Sequence, residues 1–282
     1  MSKNSLVAPV LKWVGGKRQL FDTLKPLFPK RLYEYTYCEP FLGGGAIFFK
    51  LQPKKAYVND INEDLMLVYR IIREDVENLI EILSTFTNDA TIFYAVRDID
   101  RDKEMFSQLS EVERAARIIY LNKTCFNGLY RVNNAGEFNT PFGYYRNPNI
   151  VNAPTLKAVS RYLKSDKITL TACDYAEVLG KIPKKSFVYL DPPYDPVSTT
   201  SNFTGYVKSG FNRDEQIRLR DCCDELSERG IKFMLSNSDT DFIREIYSNP
   251  AYNVTEVKAK RAINSVASKR GDVNELVIRN YD

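Results

Sequence analysis

Histidine is absent from all 282 residues. A Ser-His-Asp triad, a Cys-His dyad, a histidine proton shuttle and a histidine-bearing zinc site are therefore all excluded. Cysteine is sparse: Cys38, Cys125, Cys173, Cys222 and Cys223 include no C-x-x-C pair. That spacing suits neither a zinc ribbon nor a disulfide framework and predicts reduced thiols. No apolar run approaches the roughly 20 residues of a spanning helix, and the N-terminus lacks a signal-peptide core. The expectation is a cytoplasmic protein with no membrane and no metal. A dominant charge is missing too, since 40 basic against 36 acidic residues leave only +4, too mild to announce a nucleic-acid partner. What remains, 44% hydrophobic and 27% charged, fits a globular chain of one large domain or two modest ones.

Three glycines, Gly43 to Gly45, follow a strand-like stretch, Tyr33 to Glu39, and precede the apolar opening of a helix at Ala46. A short strand, Ala56 to Asn59, then ends at Asp60. This β-Gly loop-α-β-acid unit begins a doubly wound α/β sheet. The alternation stops between Asp60 and Glu113, where 14 acidic and 5 basic residues sit in helical patterns such as Leu65, Val68, Tyr69, Ile72 and Leu79, Ile82, Leu83. Ser110 with Glu113 forms a capping box for a helix running towards Lys123. A loop rich in Asn, Gly and aromatics follows from Cys125 to Pro148. Strands resume at Ile168–Thr171, Ser186–Leu190, Ile231–Leu235, Tyr252–Val257 and Glu275–Arg279. Asn212 and Glu215 cap a helix that Gly230 ends. The expected architecture is a Rossmann-like α/β domain, 1–60 plus 155–282, interrupted by a mostly helical insertion, 61–154, with a hairpin loop at about 125–148.

Two constellations carry chemistry. In Glu39-Pro40-Phe41-Leu42-Gly43-Gly44-Gly45 the glycines permit a sharp turn and close ligand approach at a strand's carboxyl end. Asp60 is placed to take both ribose hydroxyls of a nucleoside. No GK[ST] follows and the third dinucleotide glycine is missing, so the glycines alone fit an ordinary tight turn equally well. In Asp191-Pro192-Pro193-Tyr194 two prolines fix φ and remove two donors, so a carboxylate, outward carbonyls and an aromatic face leave one strand together. That combination suits a planar amine; alone, it also fits a simple Pro-Pro turn.

With the Gly loop, Asp60 and the Asp-Pro-Pro-Tyr tetrapeptide in this order, the chain resembles the alpha group of S-adenosylmethionine-dependent amino-methyltransferases. Lys12-Trp13-Val14-Gly15-Gly16-Lys17, Phe126 to Arg131, Gly136 to Gly143, Asn202-Phe203-Thr204 and Leu235-Ser236-Asn237 more specifically resemble the Dam family, from Lys12 to about Leu276. The resemblance implies methylation of adenine N6 in GATC of duplex DNA, with the base flipped from the helix. It implies S-adenosylmethionine as cofactor, bound by Trp13, Lys17, Phe41, Gly43, Gly45, Asp60 and Asp191, with Asp174 and Tyr175 at the cofactor adenine. Asp191, Pro192, Pro193 and Tyr194 would be catalytic.

Asn127 and Arg131 match positions that read the duplex, and their chemistry agrees: Arg forks onto guanine O6 and N7, Asn onto adenine N6 and N7. Phe126 suits a wedge between bases; Lys12, Asn133, Tyr144 and Arg146 complete the expected DNA set. Relatives often carry arginine at the Tyr144 position, so Arg146 is an open candidate for that role. Lys12 and Lys17 also fit, less well, a solvated basic face, and the loop aromatics also fit, less well, simple hairpin packing. Local basic stretches, Arg117–Arg146 and Thr255–Arg270, rather than the net charge, carry the phosphate argument. The rival readings are an amino-methyltransferase for RNA or a protein amide, and a catalytically idle DNA-binding protein. A monomer is expected, either solitary or partnered with a restriction nuclease.

Overall fold

The computed structural model describes residues 3–13, 15, 17, 19–197, 210–260 and 272–282, with the side chains of 259, 260, 272 and 273 left aside. Val14, Gly16, the Asn202-Phe203-Thr204 motif and the basic residues Arg261, Lys269 and Arg270 lie outside the described residues. The strands are β1 (Thr36–Glu39), β2 (Ala56–Asn59), β3 (Ile168–Thr171), β4 (Ser186–Leu190), β5 (Lys232–Ser238), β6 (Asn253–Lys260) and β7 (Asp272–Arg279). Among the described residues no helix is long and apolar enough to cross a membrane.

Two compact units emerge. One comprises Met1–Gly16, Gly43–Gln52 and Asn62–Ala172; the other comprises Lys17–Leu42, Pro53–Ile61 and Cys173–Asp282. In this division the Gly loop, β3 and the segment before Lys17 group with the helices.

The second unit holds six strands in the order β2-β1-β4-β5-β7-β6. Strands β2, β1, β4 and β5 are parallel, while β7 runs antiparallel to both β5 and β6. This is a Rossmann-like α/β sheet. Every residue of β4 is buried, as expected of a central strand covered on both faces, and its sequence accordingly reads as one apolar run. Val188, Leu190, Phe233, Leu235, Leu276 and Ile278 pack with Val178 and Leu179 from the helix Tyr175–Lys181 and Leu219, Cys223 and Leu226 from Arg213–Glu228. Residues Tyr33 to Tyr35 do not join β1. Arg31 takes a left-handed φ of 63° and starts a 3-10 turn, Leu32–Glu34, so the strand begins at Thr36.

The first unit is built on the helix Glu111–Thr124, with the capping box at Ser110 and Glu113 present. The helices Glu63–Glu74, Val76–Thr85 and Ala90–Asp98 surround it. Polar caps Asn62, Asp89, Asp102 and Asn152 set the helix starts. Each accepts from a first-turn amide that has no partner within the helix. Arg117, read from sequence as part of a phosphate-facing stretch, is instead buried. It pairs with Asp100 at 2.7 Å and donates to the Val96 and Arg97 carbonyls, which removes it from any contact with phosphate.

Candidate active site

In the sheet unit the chain leaves β1 beside β2 and β4, the point where connections diverge to opposite sides and α/β sheets open a crevice at their carboxyl ends. Asn59, the last residue of β2, is almost fully buried and fixes that opening. Its amide donates to the Pro40 and Cys173 carbonyls at 3.1 and 2.9 Å, and its oxygen accepts from the Cys173 amide at 3.1 Å. The Asn59 carbonyl also accepts from the Leu42 amide at 2.8 Å. Asp60, half-buried, is the next residue. Phe41 packs 5.1 Å from Tyr175 and edge-on to Phe211 at 5.9 Å, giving an aromatic group at the end of β1.

Asp174 caps the helix beginning at Tyr175, and both its oxygens are held by Arg218 at 2.6 and 2.9 Å. The guanidinium holds that carboxyl below the usual carboxylate range and also lies 4.8 Å over the Tyr175 ring. The Asp174 side chain keeps 36% exposure beside these bonds, whereas Tyr175 is buried between Phe41 and the Arg218 guanidinium and leaves the half-buried Phe41 as the more accessible ring.

At the end of β4, Asp191 meets the buried Lys17 (6% exposed) at 2.8 Å. Burial pushes the Asp191 carboxyl up, and the Lys17 ammonium opposes that shift. The same ammonium lies 4.6 Å from the Tyr194 ring centroid. Tyr194 donates its hydroxyl to Glu275 on β7 at 2.9 Å; burial raises the phenol well above its ordinary range. The Pro193 carbonyl accepts from Gln216 at 2.8 Å, and the Gln216 oxygen accepts from Asn237 at 3.0 Å. Asn237 in turn accepts from the Asp195 amide at 3.2 Å. Among the described residues no hydrogen bond reaches the Pro192 carbonyl. The turn is therefore clamped on both sides, with the Pro192 carbonyl at its tip beside the Asp191 carboxylate that Lys17 holds.

The helical unit places the remaining candidates. Trp13 stacks on Tyr130 at 4.9 Å, and Tyr130 donates to Asp64 at 3.0 Å. A Cβ on Gly43 would meet the Trp13 ring at 3.1 Å, and one on Gly44 would meet the Leu11 carbonyl and Trp13 Cβ at 3.2 Å. Gly43 and Gly45 also have φ of 50° and 68°. These glycines are required by the close approach of Trp13 as well as by the turn. Asn122, buried, accepts from the Lys12 amide at 2.9 Å and donates to the Lys12 and Gly128 carbonyls at 2.8 and 3.0 Å.

The loop beyond is a hairpin of isolated pairs, Cys125 with Phe142 and Val132 with Phe138, rather than a ladder. It presents Phe126 (54% exposed), Asn127 in the left-handed region at φ 57°, and Tyr144 (78% exposed) at φ 52°. Arg131 is exposed but tied to Asn139 at 2.6 Å. Asn133 closes the turn by accepting from the Ala135 and Glu137 amides. Arg146 is exposed.

The family model for D12 class N6 adenine-specific DNA methyltransferases matches residues 13–263. The chain belongs to this family. It is 40% identical over 284 residues to the type II methyltransferase M1.LlaDCHI of Lactococcus lactis, covering 100% of this chain and 98% of that one. It is 45% identical over 294 residues to the type II methyltransferase M.MjaIII of Methanocaldococcus jannaschii, covering 98% and 99%. To the DNA adenine methylase of Escherichia coli K12 it is 35% identical over 272 residues, covering 95% and 93%. The protein is thus an adenine-specific DNA methyltransferase, its substrate is DNA, and S-adenosylmethionine is the methyl donor general to such enzymes.

Of the motif residues in this methyltransferase, the sheet unit collects Lys17, Phe41, Asp60, Asp174, Tyr175 and the Asp191–Tyr194 turn. The helical unit collects Lys12, Trp13, the glycines and the loop. Sequence reasoning missed Asn59, Asn122, Gln216 and Glu275. Two of them left a signal. Gln216 shares the helix face of Leu219, Cys223 and Leu226, and Asn122 that of Ala115, Ile118 and Ile119. A polar amide in an apolar stripe marks a buried hydrogen-bonding task.

Proposed function

We propose that the enzyme methylates adenine N6 within GATC of duplex DNA, flips the target base from the helix, and works as a monomer in the cytoplasm beside the DNA it modifies. The observation that carries this reading is the half-buried Asp191 carboxylate, held by Lys17 in a clamped turn that also carries Tyr194.

The donor set of the sheet unit fits S-adenosylmethionine. Lys17 offers an ammonium for the amino-acid carboxylate, Asp60 a carboxylate for the ribose hydroxyls, and the half-buried Phe41, backed by the buried Tyr175, an aromatic face for the adenine. Asp174, oriented by Arg218, fixes Tyr175 at that surface. In the helical unit, Trp13 offers a π face for a sulfonium, with Gly43 and Gly45 shaping the turn against it. When bound, the cofactor supplies an electrophilic methyl group.

Asp191 and the Pro192 carbonyl accept the two hydrogens of N6 and draw the nitrogen towards tetrahedral geometry. Its lone pair, otherwise delocalised into the purine, then becomes available. No strong base is needed before attack, which suits a chain without histidine. Gln216, through the Pro193 carbonyl, and Glu275, through the Tyr194 hydroxyl, hold the turn in place beforehand, so little reorganisation accompanies the reaction. Tyr194 stacks on the flipped base.

Sequence reading is assigned to the exposed loop: Arg131 to guanine, Asn127 to adenine, and Phe126 to the gap left in the stack. Lys12, Asn133, Tyr144 and Arg146 support them on the duplex. Arg131 must leave Asn139 to reach a base, so that bond serves as its resting position. The likeness to type II methyltransferases favours service beside a restriction nuclease.

Labelled S-adenosylmethionine incubated with two duplexes, one containing GATC and one with its adenine pair displaced, tests this reading. Label recovered as N6-methyladenine only from the first is the expected result. Label in both duplexes contradicts the specificity. Label in neither, with cofactor still bound, contradicts a DNA target and points to RNA or a protein amide.

A further inference from the structure

The amino-terminal edge of the sheet carries a charge pattern for which the methyl-transfer chemistry has no use. Lys54 and Lys55 directly precede β2, Lys184 and Lys185 directly precede β4, and all four are exposed. Both pairs are fixed against the strand between them. The Tyr37 amide donates to the Lys55 carbonyl and the Thr36 amide to the Lys185 carbonyl, each at 3.0 Å. With β1 flanked by β2 and β4, the lysine pairs stand about 10 Å apart, twice the strand spacing.

Arg31 and the exposed Tyr33 lie on the lead-in to β1, where Arg31 donates to the Tyr33 hydroxyl at 3.3 Å. Among the described residues only Lys185 of the four lysines pairs with a carboxylate, Glu34 at 3.4 Å; Glu34 also pairs with Arg31. Towards β5 and β6 the edge becomes mixed, with Glu228 and Asp282 exposed.

We propose that this lysine strip is a second phosphate-binding surface for duplex DNA, engaged by a segment other than the one under methylation. Ammonium groups are point charges that hold phosphates without reading sequence, and a long polyanion is present whenever the enzyme works. The strip lies at the opposite end of β4 from Asp191. That strand rises about 17 Å over its five residues, which sets the strip apart from the base-accepting turn and leaves it open to a second segment or a returning arm of the same molecule. Such a grip keeps the enzyme on a long DNA while the reading loop lets go of one site.

The test uses the full chain saturated with an unlabelled short duplex that carries one target site, then titrated with a fluorescent duplex lacking any site. The wild type is expected to capture the second duplex at low salt and release it as salt rises. The variant K54A/K55A/K184A/K185A is expected to capture it at least about tenfold less tightly, with the log–log salt slope flattened by about 0.9 for each phosphate no longer neutralised. Its single-turnover methylation of the short duplex should keep the wild-type rate, which also shows that the variant folds. Absence of capture by the wild type, or equal capture by the variant, overturns the proposal. Equal DNA capture together with a weakened affinity for polyglutamate overturns it in favour of an acidic protein partner.

Discussion

The Asp191–Tyr194 turn and the Phe126–Arg146 loop are built on opposite plans. In the turn, each fixed group is half-buried and held by a neighbour from elsewhere in the chain: Lys17 on Asp191, Gln216 on Pro193, Glu275 on Tyr194. In the loop, Phe126, Asn127, Tyr144 and Arg146 are exposed, two of them with positive φ, and isolated bridges take the place of a ladder. On the proposed roles of the two regions, the difference follows from what each has to do. The amine is the same at every turnover, so its acceptors gain from being fixed before it arrives. The bases to be read meet side chains that must reach out, bond and release, and surface loops on a rigid support allow this.

Breaking the fixed region should cost the most. Asp191→Ala is expected to lower kcat by about 10³-fold or more, as loss of a central electrostatic group does, with an unchanged circular-dichroism spectrum. A retained rate contradicts the role of the turn. Gln216→Leu should lower kcat by about 10- to 100-fold, because releasing the Pro193 carbonyl lets the turn that carries Asp191 and Pro192 shift, while KM for DNA stays within error. A fall in KM and kcat together indicates a different task for that amide.

Breaking the exposed region should leave the rate and change the choice of site. Arg131→Ala is expected to surrender about 1–3 kcal/mol of discrimination at one base pair, measured as kcat/KM on GATC against single-substituted duplexes. Unchanged discrimination contradicts its assignment.

The smallest effect sharpens the comparison by pH. Burial raises the Asp191 carboxyl and Lys17 counters it. A protonated Asp191 loses an acceptor, so activity falls in acid as pH drops through the raised value. Lys17→Met removes the opposing charge, and the acid limb of the single-turnover rate should move to higher pH. A limb that stays put, or moves to lower pH, contradicts the pairing.

Much of this was legible in the residues. The strand Ser186–Leu190 and the helix ending at Gly230 follow from burial and capping patterns that act within a few residues. The Asp-Pro-Pro-Tyr turn follows from proline's fixed φ. The sheet order did not follow, since it depends on which strands pair across long stretches of chain. Nor did Glu275, a lone carboxylate on a strand whose partner, Tyr194, is 81 residues away. Arg117 misled because a basic residue beside a reading loop looks like a phosphate contact, whereas its partner Asp100 lies in the acidic stretch. Asn59 and Asn122 are single amides whose importance arises from three backbone groups gathered around each.

The central claim is that one region performs the transfer while the other chooses the base. Mapping every N6-methyladenine left on unmethylated genomic DNA by the wild type and by Arg131→Ala tests it most directly. The account predicts methylation confined to GATC by the wild type, and by the variant a comparable total spread over sites differing at one base pair. A variant that methylates only GATC, at any rate, contradicts the separation of reading from chemistry.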